Sequence, residues 1–135
     1  MKTFRHLLRC YPLTLVCLAL IWFLCLFGHM PKTPMDDVPF IDKWTHLVMY
    51  GGTTSVMWWE YLRCHSRLEF WKLFLFAFLG LILMSGCIEL LQANCTTTRS
   101  GDWLDFVANS LGVVLGTLVG LTIRWLRNKK TNNNK

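Results

Sequence analysis

Asp42, Lys43, His46 and Tyr50, and later in the chain Glu89, Gln92, Arg99, Asp102, Asp105 and Asn109, are proton-transferring or charge-holding groups set among apolar neighbours. Ionisable side chains at membrane depth are expensive and are kept there mainly for function. A carboxylate beside an imidazole makes an acid–base pair, which puts His46, Glu89 and Asp105 in candidate catalytic roles. Asp42, Lys43, Tyr50, Gln92, Arg99, Asp102 and Asn109 then read as ligand-binding groups. The planar fork of Arg99 suits a phosphate or carboxylate. Structural readings compete at several positions. Asp42 and Asp102 are also natural helix N-caps, Arg99 can clamp Asp102, and His46 can be a polar tip at an interface. Asp105 and Asn109 are harder to explain as solvated groups, because they fall one and two turns inside a helical run.

Other chemistries find no support. The acids and His46 do not define a metal set by spacing, and no Cys-x-x-Cys pair is present, so no metal is expected. The chain has no Gly-x-Ser-x-Gly, His-Glu-x-x-His, P-loop or dinucleotide fingerprint, and nothing specifies a cofactor. Glu60, Arg63, His65 and Glu69 read as ordinary interfacial groups.

Helical spacing collects the candidate groups. Asp42, His46 and Tyr50 stand at i, i+4 and i+8, one face about 12 Å long at ~1.5 Å per residue. Glu89 and Gln92 are i, i+3. Asp102, Asp105, Asn109, Gly112, Gly116 and Gly120 form one stripe, acidic at the start and glycine-lined beyond. The Gly112, Gly116 and Gly120 part suits close helix packing.

The elements that carry these faces follow from composition. The 135 residues are 53% hydrophobic, with seven Trp, nine Phe and mean hydropathy +0.37. That is too apolar for an average small soluble domain. Four apolar stretches, roughly 12–29, 44–62, 71–91 and 103–126, each approach the ~20 residues that cross a ~30 Å hydrocarbon core. They are continuously apolar where barrel strands would alternate, so the expected fold is an all-α membrane protein, a four-transmembrane-helix bundle. One domain over 1–130 is expected, with 131–135 a disordered polar tail.

The first stretch is expected to be retained. It is longer than a typical signal h-region and Phe27-Gly28-His29-Met30-Pro31 lacks a small-x-small cleavage pattern. Lys2, Arg5 and Arg9, then Arg63, Arg67 and Lys72, then Arg124, Arg127, Lys129, Lys130 and Lys135 fall on one side of the four stretches. Only Lys32, Lys43 and Arg99 fall on the other. The positive-inside rule then places both termini in the cytoplasm and the polar groups outside. The net charge of +6 reads as topology and contact with anionic lipid, without nucleic-acid binding. Cys10, Cys17, Cys25 and Cys87 read as packing residues. Cys95 falls in an outer loop and Cys64 inside, so no disulfide is expected across the outer face. Asn94-Cys95-Thr96 fits the glycosylation sequon, which matters only in a glycosylating secretory pathway.

The combined pattern Asp42-Lys43-x-x-His46-x-x-x-Tyr50, Glu89-x-x-Gln92, Arg99 and Asp105-x-x-x-Asn109-x-x-Gly112-x-x-x-Gly116 resembles the VanZ-like family of small bacterial membrane proteins. The likeness runs over the last three stretches, with motifs inside 42–116. Thr96-Thr97-Thr98 before Arg99 departs from the proline-containing approach of many relatives. The resemblance implies a multi-pass protein of the bacterial cytoplasmic membrane linked to the cell envelope, in a family named for a teicoplanin-resistance-associated member. Three roles stand as expectations: a membrane-embedded enzyme acting on a lipid-linked phosphate; a noncatalytic protein that binds or shields a peptidoglycan precursor or lipid headgroup; and a transporter or proton relay, the weakest of the three because below Asn109 the last stretch offers glycine and aliphatics.

Overall fold

A computed structural model describes residues 2–27, 40–65, 67–95 and 102–133. Among them every regular element is helical: α1 (Lys2–Cys10), α2 (Pro12–Phe27), α3 (Ile41–Cys64), α4 (Phe70–Leu73), a π-helical segment (Phe74–Leu79), α5 (Gly80–Cys95) and α6 (Trp103–Asn133). α4, the π segment and α5 run on as one rod.

Length and apolarity alone allow two of these rods to cross a membrane, 70–94 and 103–133. A third is added if α1 and α2 count as one broken span, bent by 92°. The four crossings expected from sequence are therefore met only in part. α3 has 24 residues, about 36 Å of helix, so length is not what separates it from the others. Asp42, Lys43, Glu60 and Arg63 dilute its apolar character, and several of its polar groups are buried between helices.

The break between α1 and α2 falls at Tyr11, with Pro12 at the first position of α2, where a missing N–H costs no hydrogen bond. α1 is amphipathic, mixing exposed Arg5 and Arg9 with exposed Phe4, Leu7 and Leu8. A helix of that kind turned across the next one has the form of an interfacial helix.

α3 and α6 form the closest pair in the bundle, and glycine is the reason. A methyl at Gly112 would strike the backbone of Leu47 and Gly51, one at Gly116 would strike Gly51 and Thr54, and one at Gly120 would enter the Trp58 ring. Gly51 on α3 completes the seam. α2 and α5 close the bundle around a core of Ile21, Cys25, Tyr50, Leu81, Ile88 and Val113. The outside remains apolar: Trp71 is 78% exposed and Phe76 69%. Such a surface suits lipid and is a liability in water. Hydroxyls inside the helices are satisfied locally, as Thr53, Thr54 and Ser55 each donate to the carbonyl four residues back.

One end of the bundle holds α1, the end of α3, the start of α4 and the end of α6. Here three sequence readings need correction. Glu60 is no interfacial group: it is fully buried, and its carboxylate accepts the backbone N–H of Leu13 and Thr14 (both 3.0 Å) and the Thr14 hydroxyl (2.7 Å). A negative charge thus meets the unpaired donors at the start of α2. Cys10 is no simple packing residue, since it forms a disulfide with Cys64, with Cα atoms 5.8 Å apart. Thr131–Asn133, expected as disordered tail, continue α6 as exposed helix.

Candidate functional site

The opposite end gathers the start of α3, the end of α5 and the start of α6. Lys43 is the hub of its surface layer. The Lys43 ammonium donates to Asp102 Oδ2 at 2.6 Å, lies 2.7 Å from Asp105 Oδ1 and 3.7 Å from Asp42 Oδ2. Asp102 also caps α6, accepting the Leu104 N–H at 2.9 Å. The Lys43 bond first, and that N–H second, hold the Asp102 carboxyl below its ordinary value. The Asp102 N–H in turn donates to Glu89 Oε2 at 3.2 Å, which ties α6 to α5.

Beneath this layer sits His46, 2% exposed. Its Nδ1 lies 3.1 Å from Asn109 Oδ1, while Asn109 Nδ2 donates to Ser85 Oγ at 2.8 Å and reaches Glu89 Oε1 at 3.5 Å. With the amide nitrogen facing two acceptors, its oxygen faces the ring, so Nδ1 carries a proton and donates it. The other ring nitrogen, Nε2, faces Asp42 Oδ1 and Asp105 Oδ2, each at 3.8 Å. Both aspartates therefore divide their oxygens, one toward Lys43 and one toward His46. Asp42 is exposed and Asp105 buried.

The groups expected from sequence separate into three sets. His46, Asp105, Glu89 and Asn109 come together in one network, with Asp42, Lys43 and Asp102 as its outer layer. Lys43, expected to hold an anionic ligand, is already engaged by two carboxylates. Gln92 lies to the side, its Nε2 donating to the Cys25 carbonyl of α2 at 2.8 Å, whereas Tyr50 is fully buried beneath the network with its hydroxyl beside Ser85. Arg99 lies outside the described residues. Ser85 was missed, because a single serine in an apolar run gives no signal until α5 is placed against α6.

An apolar groove of ≈ 310 Å³ lies beside Lys43 between α3 and α6, with Phe40, Trp44, Leu47, Leu104 and Leu111 among its walls. Phe40, just ahead of α3, has φ 61°, a left-handed conformation that bulky residues rarely adopt. Such strain is retained where surrounding structure imposes it.

The fold and site thus define a helical, membrane-type protein with a buried acid–imidazole–amide network at one end. No known family profile, no characterised protein and no solved structure matches the chain.

Proposed function

We propose that the chain is a VanZ-like protein of the bacterial cytoplasmic membrane, with α2, α3, the 70–95 rod and α6 crossing it and both termini in the cytoplasm. Its polar network would open to the extracytoplasmic side and perform acid–base chemistry on a lipid-linked phosphate or a related envelope intermediate. The observation that carries this reading is His46: its Nδ1 is fixed by Asn109 and its Nε2 is turned to Asp42 and Asp105. A ring with one nitrogen pinned and the other facing carboxylates is oriented for proton transfer. Lys43 neutralises the acids in this reading, and anion binding falls to Arg99.

The groove beside Lys43 favours a second reading, in which an apolar chain is held there and the headgroup is bound without turnover. Incubating the purified protein in nanodiscs with labelled polyprenyl phosphate and diphosphate separates the two. The enzyme reading expects product from the unaltered chain and at least a hundredfold less from His46→Ala and Asp105→Asn. Retained binding with no product supports the second reading and overturns the first.

A further inference from the structure

We propose that Asp42, His46 and Asp105 hold a divalent first-row transition cation, of the zinc and manganese kind, at the outer end of α3 and α6. This rests on the same network being the working site and reassigns its acid–base work: a ring bound through Nε2 no longer exchanges a proton there, and a cation-bound water would take that role. The three residues offer one ligand atom each, all within 4.8 Å of one another. Ligand atoms ~2.1 Å from one ion stand at most about 4.2 Å apart. The two contacts of 3.8 Å from Nε2 already meet that limit. Exposed Asp42, in the first turn of α3, has only a few tenths of an ångström to close.

A cluster of acids alone would carry little weight; the imidazole carries the inference. The Nδ1 proton is committed to Asn109 Oδ1, so a neutral His46 aims the Nε2 lone pair at two carboxylate oxygens. In that 98%-buried ring Nε2 stands 3.8 Å from both carboxylate oxygens, beyond hydrogen-bond distance. Lone pair against carboxylates is repulsive unless a positive charge stands between them. At 3.8 Å the gap is longer than a hydrogen bond and within a few tenths of an ångström of the ~3.4 Å between ligand atoms on a tetrahedral ion.

The neighbours are arranged as a metal site needs. Asn109 acts on the far ring nitrogen, the orienting contact that metal-bound histidines almost always have, and Ser85 fixes Asn109. Lys43 does not compete for the same atoms, because it takes Asp42 Oδ2 and Asp105 Oδ1 while Asp42 Oδ1 and Asp105 Oδ2 face His46. One imidazole with two carboxylates suits a borderline cation better than magnesium or calcium, which favour oxygen alone. Three protein ligands would leave a position open for water or a phosphate oxygen.

The test uses the full chain in detergent, stripped with a chelator and titrated with Co²⁺ as a visible probe, with Zn²⁺ as competitor. One Co²⁺ per chain is expected, displaced by Zn²⁺, with a d–d band and no sulfur charge-transfer band. His46→Gln and Asp105→Asn should abolish it, and Asn109→Leu should weaken it about 10- to 100-fold. Asp42→Asn alters an exposed side chain and so keeps the fold; it too should weaken binding at least tenfold, while His65→Ala should not. No stoichiometric Co²⁺, a thiolate-type spectrum, or equal binding by Asp42→Asn overturns the proposal. Full turnover of polyprenyl phosphate by chelator-stripped protein also overturns it while the acid–base reading stands. Stoichiometric Co²⁺ without any turnover upholds the cation and removes the enzyme reading.

Discussion

At the scale of residues, the acidic end is an exchange of charge among a few side chains, and Asp102 shows how pH enters it. Its carboxyl is held below the ordinary value near 3.8 by Lys43 and by the start of α6. A depressed carboxylate adds stability above the unfolded pKa and loses it as pH falls through the folded value. Thermal unfolding in detergent should therefore show a falling acid limb below about pH 4. Asp102→Asn, which can still cap α6, should flatten that limb and leave stability near neutral pH only slightly lower, because Asp102 is half-exposed and its pair is screened. An unchanged acid limb in Asp102→Asn would show that the pair contributes nothing. The spacing of Asp42 and His46, and of Asp105 and Asn109, made their shared faces legible in the sequence, since helix periodicity fixes both. It gave no access to Ser85 or to the division of aspartate oxygens between Lys43 and His46, which depend on how the faces dock. Tyr50 stands on the same periodic face as His46 and ends in the core, because one more turn carries it from the rim into the packed interior.

At the scale of elements, the seam between α3 and α6 sets the position of His46 against Asn109. The glycine stripe on α6 was legible from its four-residue spacing, but its partners Gly51, Thr54 and Trp58 were not. Two substitutions separate seam from surface. Gly116→Leu forces a side chain into the Gly51 carbonyl and Thr54, and overpacking of this kind costs about 1–3 kcal/mol or more. Gly52, one residue from the seam, would place a new methyl in open space. Gly52→Ala should therefore be neutral or stabilising by about 0.5–1 kcal/mol through helix propensity. The comparison is read from the yield of monodisperse protein and from thermal unfolding; equal behaviour of the two variants would mean that the helices do not pack at this seam. Glu60 illustrates why the far end was misread. A lone glutamate near the end of an apolar run is compatible with a headgroup contact, and only the bend at Tyr11 brings the open N-terminus of α2 onto it.

At the scale of the whole molecule, the two ends differ in charge and in redox chemistry, and the two differences point to opposite sidedness. Arg5, Arg9, Arg63, Arg67, Lys72, Arg124, Arg127, Lys129 and Lys130 belong to the end that carries the Cys10–Cys64 bond, and Lys43 to the end that carries the polar network. The positive-inside rule assigns the basic end to the cytoplasm. Thiols there are kept reduced, whereas disulfides persist outside. The orientation proposed above thus expects reporter fusions after Lys72 and Lys135 to read cytoplasmic and fusions near Asp36 and Thr97 to read external. It also expects Cys10 and Cys64 to be free thiols in growing cells, trapped by a membrane-permeant alkylating reagent before lysis, and to bond only on exposure to oxidant. Closing a loop of 54 residues, the bond should then raise unfolding stability by about 4 kcal/mol in the chain-entropy account, read as a higher melting temperature of oxidised over reduced protein. A pair already oxidised in cells, together with an external C-terminal reporter, would reverse the orientation. The polar network would then face the cytoplasm, and its substrate would have to be sought on the inner leaflet.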